Sequence, residues 1–504
     1  MDRRIRRLTI ALTGLFVLLF AQISYVQVFH ADAIAGNAAN AYRQIIAEYK
    51  VFRGPILASD ERTVLAASRK TKGQLVYQRR YPDGELYSGA TGYYSLVYGR
   101  TELEQAMNPY LNGDAPELAA QTFADLILGH PKQGAAVVTT IDAKLQAAAA
   151  RALGSQPGAV VAIDPSTGAV LAMVSNPSYD PNLLSSGTRS QITDQWDKLN
   201  TDPSHPLLSN ANDQLFPPGS TFKIITASAA LENGANLQTT YPNPAELDLP
   251  LSNGTLQNFG GEHCAGGASR ITLALAFQIS CNVTFGQIGL QLGADKLQAQ
   301  AQAYGFCPTD PPTQTDCFEP TIPFTIPFQS GRFPVPAYFE QNDPLVAISA
   351  IGQDNVLANP MQMALVAAAV ANDGTMMQPQ LVKEIRDPQG RVVRTFDPQE
   401  YGRPISDATA RALTQMMVSV TSPGGTAYPY ANVPGVTVAG KTGTAQHGDN
   451  VNPHAWFTAF APADNPKIAV AVVVLDGGNL GSEATGGHVS APIAAQVIDA
   501  YLNG

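Results

Sequence analysis

Hydrophobic and polar positions fall into stretches of different period along the chain, and the periods predict its elements. Residues 8–29 form an uncharged, mostly apolar run, long enough for a helix that crosses a bilayer, which takes about 20 residues. Residues 38–48 read as a helix continuing from it. Residues 74–99 alternate aromatic and polar side chains with frequent glycine, which predicts short strands and turns. Residues 103–111 and 116–128 return to helical spacing. The breaker-rich Gly-His-Pro-Lys-Gln-Gly at 129–134 marks a boundary. Beyond it, 136–141 is β-branched and strand-like, and Asp142 can cap a helix over 143–153. Apolar strands at 159–163 and 169–174 flank Asp164-Pro165-Ser166-Thr167-Gly168, a hairpin by turn chemistry. A loop-rich segment, 176–215, precedes helices at 223–232, 270–276, 284–292 and 361–372, the last ended by Gly374. Strands follow at 436–439, 454–460 and 467–475, the last two joined by a short turn that favours antiparallel neighbours. Residues 491–502 close the chain as a helix. This order fits an α+β fold, with one antiparallel sheet covered by helices on both faces.

Charge places the first run. Arg3, Arg4, Arg6 and Arg7 precede it, so residues 1–7 should stay cytoplasmic, 8–29 should anchor the chain in a single pass, and the rest should lie outside. A cleaved signal peptide is the rival reading, with Ala31-Asp32-Ala33 and Ala33-Ile34-Ala35 as cleavage sites. The apolar run is longer than the usual h-region of about 7–15 residues, which favours an uncleaved anchor. Gln22, Ser24 and Gln27 make its outer half polar, as interfacial tolerance or as a face for a partner helix. At 504 residues the chain should hold more than one domain. Its net charge of −10 argues against nucleic acid. The seven histidines lack metal-ligand spacing and there is no glycine-rich nucleotide loop, so no metal or cofactor is expected.

The chemistry centres on Phe216-Pro217-Pro218-Gly219-Ser220-Thr221-Phe222-Lys223. The prolines and Gly219 break regular structure and an apolar helix follows, so Ser220 sits at or next to a helix N-terminus. Lys223 is about one turn on, where its amine can face the Ser220 hydroxyl. A serine needs something to take its proton, and a desolvated lysine or one near another cation can do so. Alone, this pair also describes a capped surface helix. Ser280-Cys281-Asn282 and Lys441-Thr442-Gly443-Thr444 follow in order. That trio of Ser-x-x-Lys, Ser-x-Asn and Lys-Thr-Gly resembles the penicillin-binding and serine β-lactamase superfamily. Most closely the chain resembles class B penicillin-binding proteins, monofunctional peptidoglycan D,D-transpeptidases.

The resemblance implies a small mixed pedestal domain at 30–135 and a transpeptidase domain at 136–504, built of an antiparallel sheet and a helical subdomain. Arg53-Gly54-Pro55-Ile56 resembles the pedestal's opening, although the turn Ser59-Asp60-Glu61-Arg62 lacks the usual glycine. Thr140-Ile141-Asp142 resembles the start of the transpeptidase domain. Relatives carry Asn-Arg-Ala before the nucleophile turn, and here Asn210 stands in place of the arginine. The resemblance further implies acyl transfer on stem peptides with release of D-alanine, covalent inhibition by β-lactams, and a membrane partner of the SEDS family that polymerises glycan. Ser220 would be the nucleophile, Lys223 the base and Ser280 the proton relay. Asn282 would bond Lys223 and the substrate amide. Lys441 would keep Lys223 neutral and attract the substrate carboxylate, with Thr442 as its donor. Gly443 would let substrate approach the strand, and the Ser220 and Thr444 N–H groups would form the oxyanion hole.

Rival functions remain: a D,D-carboxypeptidase, a β-lactamase, or a non-catalytic β-lactam sensor or scaffold. A β-lactamase needs a placed base for deacylation, and the sequence places none. A sensor needs a cytoplasmic domain or several spans, and a scaffold should lose part of the trio. Cys264, Cys281, Cys307 and Cys317 all lie on the outer side, where disulfides persist. We expect Cys264–Cys281, pinning the middle motif beside the cleft, and Cys307–Cys317, stiffening a proline-rich loop. Four buried thiols are the alternative.

Overall fold

The structure, a computed structural model, describes residues 3–29, 46, 48–72, 75–119, 131–311, 317, 320–340, 342–448 and 451–504. The helix expected over 38–48 lies almost wholly outside these residues, as does most of that over 116–128, of which a 3₁₀ turn Pro116–Leu118 is described. Helix α1 (Arg3–Phe29) includes the basic tail. An 18-residue window within Arg3–Val26 has a mean hydropathy of 1.9, and none of its residues is buried against the rest of the chain. Helix α1 is the one helix among the described residues long and apolar enough to span a membrane, as a single-pass anchor requires.

After it come β1 (Ile56–Leu57), β2 (Val64–Lys70), β3 (Tyr77–Arg80), α2 (Gly84–Thr91), β4 (Ala136–Thr139) and α3 (Ala143–Leu153). Then follow β5 (Gly158–Ile163), β6 (Val170–Asn176), α4 (Lys223–Glu232), α5 (Leu273–Gln278), α6 (Asn282–Leu292) and α7 (Pro360–Ala371). The chain ends with β7 (Val382–Arg386), β8 (Val392–Thr395), α8 (Asp407–Thr421), β9 (Ala439–Ala445), β10 (His454–Ala461), β11 (Ile468–Val474) and α9 (Ala491–Leu502).

A six-stranded sheet runs β8-β7-β4-β1-β2-β3. Strand β4 lies parallel to β1 and antiparallel to β7, so the sheet joins chain from both sides of the 129–134 segment. Beneath it a buried ion cluster ties three segments together. Glu104 accepts from Arg53 Nε at 2.7 Å and Arg79 Nε at 2.6 Å, and the Tyr81 hydroxyl adds a bond of 3.1 Å. Burial alone would push the Glu104 carboxyl up. Arg79 and Arg53 outweigh that and hold it below its ordinary range. Glu104→Ala would leave two buried guanidiniums without their counter-ion. We expect it to cost about 3–5 kcal/mol in urea unfolding, whereas a loss under about 1 kcal/mol would mean the cluster behaves as a surface pair.

The second sheet, order β9-β10-β11-β5-β6, is antiparallel throughout. Every residue of β5, β10 and β11 is buried, because helices cover both faces. Helices α3 and α9 pack together on one side, and α7 covers β5, β10 and β11. Alternation therefore gives way to unbroken apolar runs such as Ile-Ala-Val-Ala-Val-Val-Val in β11. The Asp142 cap is as expected, its carboxylate accepting from Lys144 and Leu145 N–H.

Several local expectations are corrected. Residues 84–91 form helix α2, not strand or turn, with Tyr87, Ala90 and Thr91 buried. The helix expected over 103–111 is split into Glu102–Ala106 and Asn108–Leu111. Residues Arg270–Thr272, expected as helix, pair as a strand with Thr240–Pro242, and Thr272 then caps α5 through the Leu275 N–H. The strand expected at 436–439 begins at Ala439 and runs through the Lys-Thr-Gly motif itself.

Candidate active site

Pro217 and Pro218 cannot donate to a ladder, so the chain leaves its bridge at Phe216–Ala358 and turns. Gly219 makes the turn at φ +52°, its N–H bonded to Gly352 O at 2.9 Å. A Cβ there would come within 2.8 Å of Thr444 O, so only glycine lets the turn lie against β9. Ser220 follows in a single 3₁₀ turn, Gly219–Phe222, that runs straight into α4. Its side chain is half-buried and lines a cavity of about 510 Å³ with Ser280, Asn282, Thr442 and Thr444.

Ser280 sits between α5 and α6 at φ +58°, a conformation rare for a residue with a side chain. The sharp junction puts its hydroxyl between two amines, 2.9 Å from Lys441 Nζ and 3.3 Å from Lys223 Nζ. Lys223 Nζ also donates to Ser280 O at 2.8 Å and Asn282 Oδ1 at 2.7 Å. Asn282 in turn donates to Gln257 O. No hydrogen bond joins Lys223 to the Ser220 hydroxyl among the described residues.

Both lysines are fully buried, Lys223 against the Phe285 ring and Lys441 against the Phe277 ring. Burial, and then the neighbouring Lys441, hold the Lys223 amine well below its ordinary range. Burial brings Lys441 down to about 7. A neutral amine keeps two donors and one lone pair. On Lys223 the donors are taken up by Ser280 O and Asn282 Oδ1, which leaves the lone pair as a proton acceptor.

Thr442 shares a 2.6 Å bond with the Thr426 hydroxyl, a partner the sequence did not single out. Gly443 does not line the cavity. A Cβ there would meet Pro218 O at 2.8 Å and Trp456 Cβ at 2.9 Å, so glycine is needed to seat β9 against the nucleophile turn. Thr426, Gln353 and Thr485, from loops, and His488, from the helical turn Gly486–Ser490, also line the cavity; no spacing in the sequence marks them. Asn210 bonds the end of β6 instead of reaching the cleft, donating to Ser175 Oγ and Asn176 O.

The disulfides pair as expected, Cys264–Cys281 and Cys307–Cys317, with Cα atoms 6.1 and 6.2 Å apart. The first lies in the cavity wall and fixes the residue between Ser280 and Asn282. The paired replacement Cys264→Ser with Cys281→Ser opens a 17-residue loop and should cost about 3 kcal/mol on thermal unfolding. No measurable loss would mean the helices hold Ser280 unaided.

His447, His454 and Asp476 also come together, within 4.8 Å, through the β9–β10 turn and the end of β11. Two features fit a metal poorly. The imidazoles stack in near-parallel planes, 3.7 Å apart, so their in-plane lone pairs do not converge. His454 Nδ1 already accepts the Asp476 N–H.

This sheet, with a serine and two buried amines at its edge, defines a class of acyl-transfer enzyme. Residues 158–499 match the penicillin binding protein transpeptidase domain, and 53–137 match the penicillin binding protein A dimerisation domain. The chain belongs to the penicillin-binding protein transpeptidase family. It is 42% identical to the peptidoglycan D,D-transpeptidase PbpA of Mycolicibacterium smegmatis, over 100% of this chain and 99% of that one. The PbpA of Mycobacterium tuberculosis is 38% identical, with 100% of both chains covered. The ceftriaxone acyl-enzyme complex of penicillin-binding protein A from M. tuberculosis superposes with a TM-score of 0.82 at 38% identity, covering 91% of this chain and 100% of that one.

Proposed function

We propose that the protein is a membrane-anchored class B D,D-transpeptidase that cross-links peptidoglycan stem peptides through an acyl-enzyme on Ser220. The observation that carries this reading is the Ser280 hydroxyl held between the Lys223 and Lys441 amines at the foot of the Ser220 cavity. The Ser220 Oγ attacks the carbonyl between the two terminal D-alanines while neutral Lys223 takes its proton. The oxyanion is met by the Ser220 and Thr444 N–H groups. Collapse breaks the C–N bond, and the leaving D-alanine amine receives a proton through Ser280. An amine of a second stem peptide then attacks the ester and restores the Ser220 hydroxyl. Lys441 and Thr442 hold the substrate carboxylate, and Asn282 orients the substrate amide. A β-lactam enters the same path and stops at the ester.

Residues 1–7 are cytoplasmic in this reading, 8–29 span the membrane, 30–135 form a non-catalytic pedestal and 136–504 form the outward-facing transpeptidase domain. The polar Gln22 and Ser24 in the span support a helix partner, which we assign to a SEDS-family glycan polymerase. Cross-linking from residues 8–26 in native membranes should capture such a polymerase; capture of none, with full activity in cells lacking it, overturns the pairing. Turnover of a stem-peptide substrate by the purified full chain tests the reaction. A cross-linked dimer supports transpeptidation, whereas free tetrapeptide alone would make the protein a D,D-carboxypeptidase.

A further inference from the structure

A second cavity, of about 280 Å³, lies away from the Ser220 cleft. Tyr93 and Glu102 reach it from the stretch matching the dimerisation domain; Tyr179, Trp196 and Asp213 reach it from the transpeptidase stretch. Three aromatic rings wall it. Tyr93 meets Tyr179 edge-on at 6.3 Å and Trp196 edge-on at 6.0 Å. Two carboxyls face it, and no lysine or arginine lines it. Glu102 Oε2 is buried with no hydrogen-bond partner. Its backbone is also strained, at φ +46°. Strain and an unsatisfied buried acid each cost stability, and both fall at this one cavity. Asp213 is half-satisfied, accepting from Ser209 N–H and Asn212 Nδ2 at 3.2 Å.

We propose that this cavity binds a small organic ammonium ion, with Glu102 and Asp213 neutralising its charge and Tyr93, Tyr179 and Trp196 boxing it. Aromatic faces attract cations, and alkylated ammonium groups shed water readily enough to enter such a box. The polar wall would otherwise favour water, but water cannot use the aromatic faces or cancel two acids.

The carboxyls make binding depend on pH. Burial pushes Asp213 up to about 6, and burial together with Asp213 pushes Glu102 well above the carboxylate range. A cation favours the ionised forms, so affinity rises with pH. His205, an exposed residue, also lines the cavity. Tyr93 is raised to about 12 and stays neutral, as does Tyr179, raised further.

Calorimetry on the full chain in non-ionic detergent tests the site. The probes are tetramethylammonium for a free amine, Nα-acetyl-lysine amide for a peptide-borne one, and tert-butanol as the neutral control. Saturable binding of either cation at pH 7.5, weakened roughly fourfold or more at pH 5.5, is expected, with none for tert-butanol; the tighter cation identifies the source. Glu102→Gln and Asp213→Asn should each weaken it about tenfold or more, while Glu102→Gln keeps its rate of penicillin labelling at Ser220. A non-saturating response to both cations, or equal affinity at the two pH values, overturns the proposal on the unmodified protein alone. Undiminished binding in both variants overturns it as well.

Discussion

Ser220→Ala should abolish covalent labelling by a fluorescent penicillin and leave the fold intact. The side chain is half-buried at a cavity wall and holds no hydrogen bond in the described structure, so its removal leaves no orphaned partner. Stability should stay within about 0.5 kcal/mol of the parent, the usual effect of replacements that break no packing or network. Acylation has no second route. The Ser280 hydroxyl is the nearest rival, yet it is engaged with Lys441 and Lys223. Losing a nucleophile from such a unit costs on the order of a million-fold in rate, which takes the label below detection. Intact-mass spectrometry after incubation with penicillin G gives the readout. A drug-sized mass increment that persists in a variant with an unchanged melting transition would move the nucleophile to another residue.

How much of this site was legible beforehand depends on the range of the interactions involved. The nucleophile turn announces itself because Pro217, Pro218 and Gly219 act on the backbone locally. The long apolar runs of β5, β10 and β11 are equally plain, since a strand buried on both faces needs no partner to declare itself. Helix α2 was not legible. Its aromatic and glycine-rich composition suits strand or turn, and only burial of Tyr87 and Ala90 makes it helical. Gly443 has a packing reason the sequence did not show: the Pro218 carbonyl and Trp456, from segments far along the chain, leave no room for a Cβ. Asn210 shows the converse: where the family pattern has arginine, its amide donates to Asn176 O at the end of β6. Glu61 adopts φ +60° in the glycine-less turn at 59–62, and Asp60 steadies that turn by accepting from the Arg62 and Thr63 N–H groups. The Glu102–Asp213 cavity left no sequence signal, since neither residue has a motif.

The pH dependence of acylation should separate the two lysines. If Lys223 is the base, it must be neutral to act, so the second-order rate with penicillin G rises as pH climbs through its pKa. Burial and the Lys441 charge hold that pKa far below the ordinary lysine value, so the rising limb falls well under pH 10. Lys441 has the opposite requirement. It must be cationic to hold the penicillin carboxylate, and burial brings it to about 7. The falling limb in the free enzyme therefore starts near neutrality, and the profile is bell-shaped. Lys441→Arg keeps a charge that does not titrate below about pH 12, so the falling limb should leave the accessible range even if the bulkier group lowers the maximum. Lys441→Met keeps most of the volume beside Phe277 but removes the cation. It should lower the maximum by about 10- to 150-fold, the worth of a hydrogen bond to a charged group of about 1.5–3 kcal/mol. It should also move the rising limb to higher pH, because Lys223 loses the cation that disfavours its own protonation. Stopped-flow acylation between pH 5 and 10 reads all three profiles. A falling limb that stays in place in Lys441→Arg would assign it to another group, and a rising limb unmoved in Lys441→Met would show that burial alone keeps Lys223 neutral.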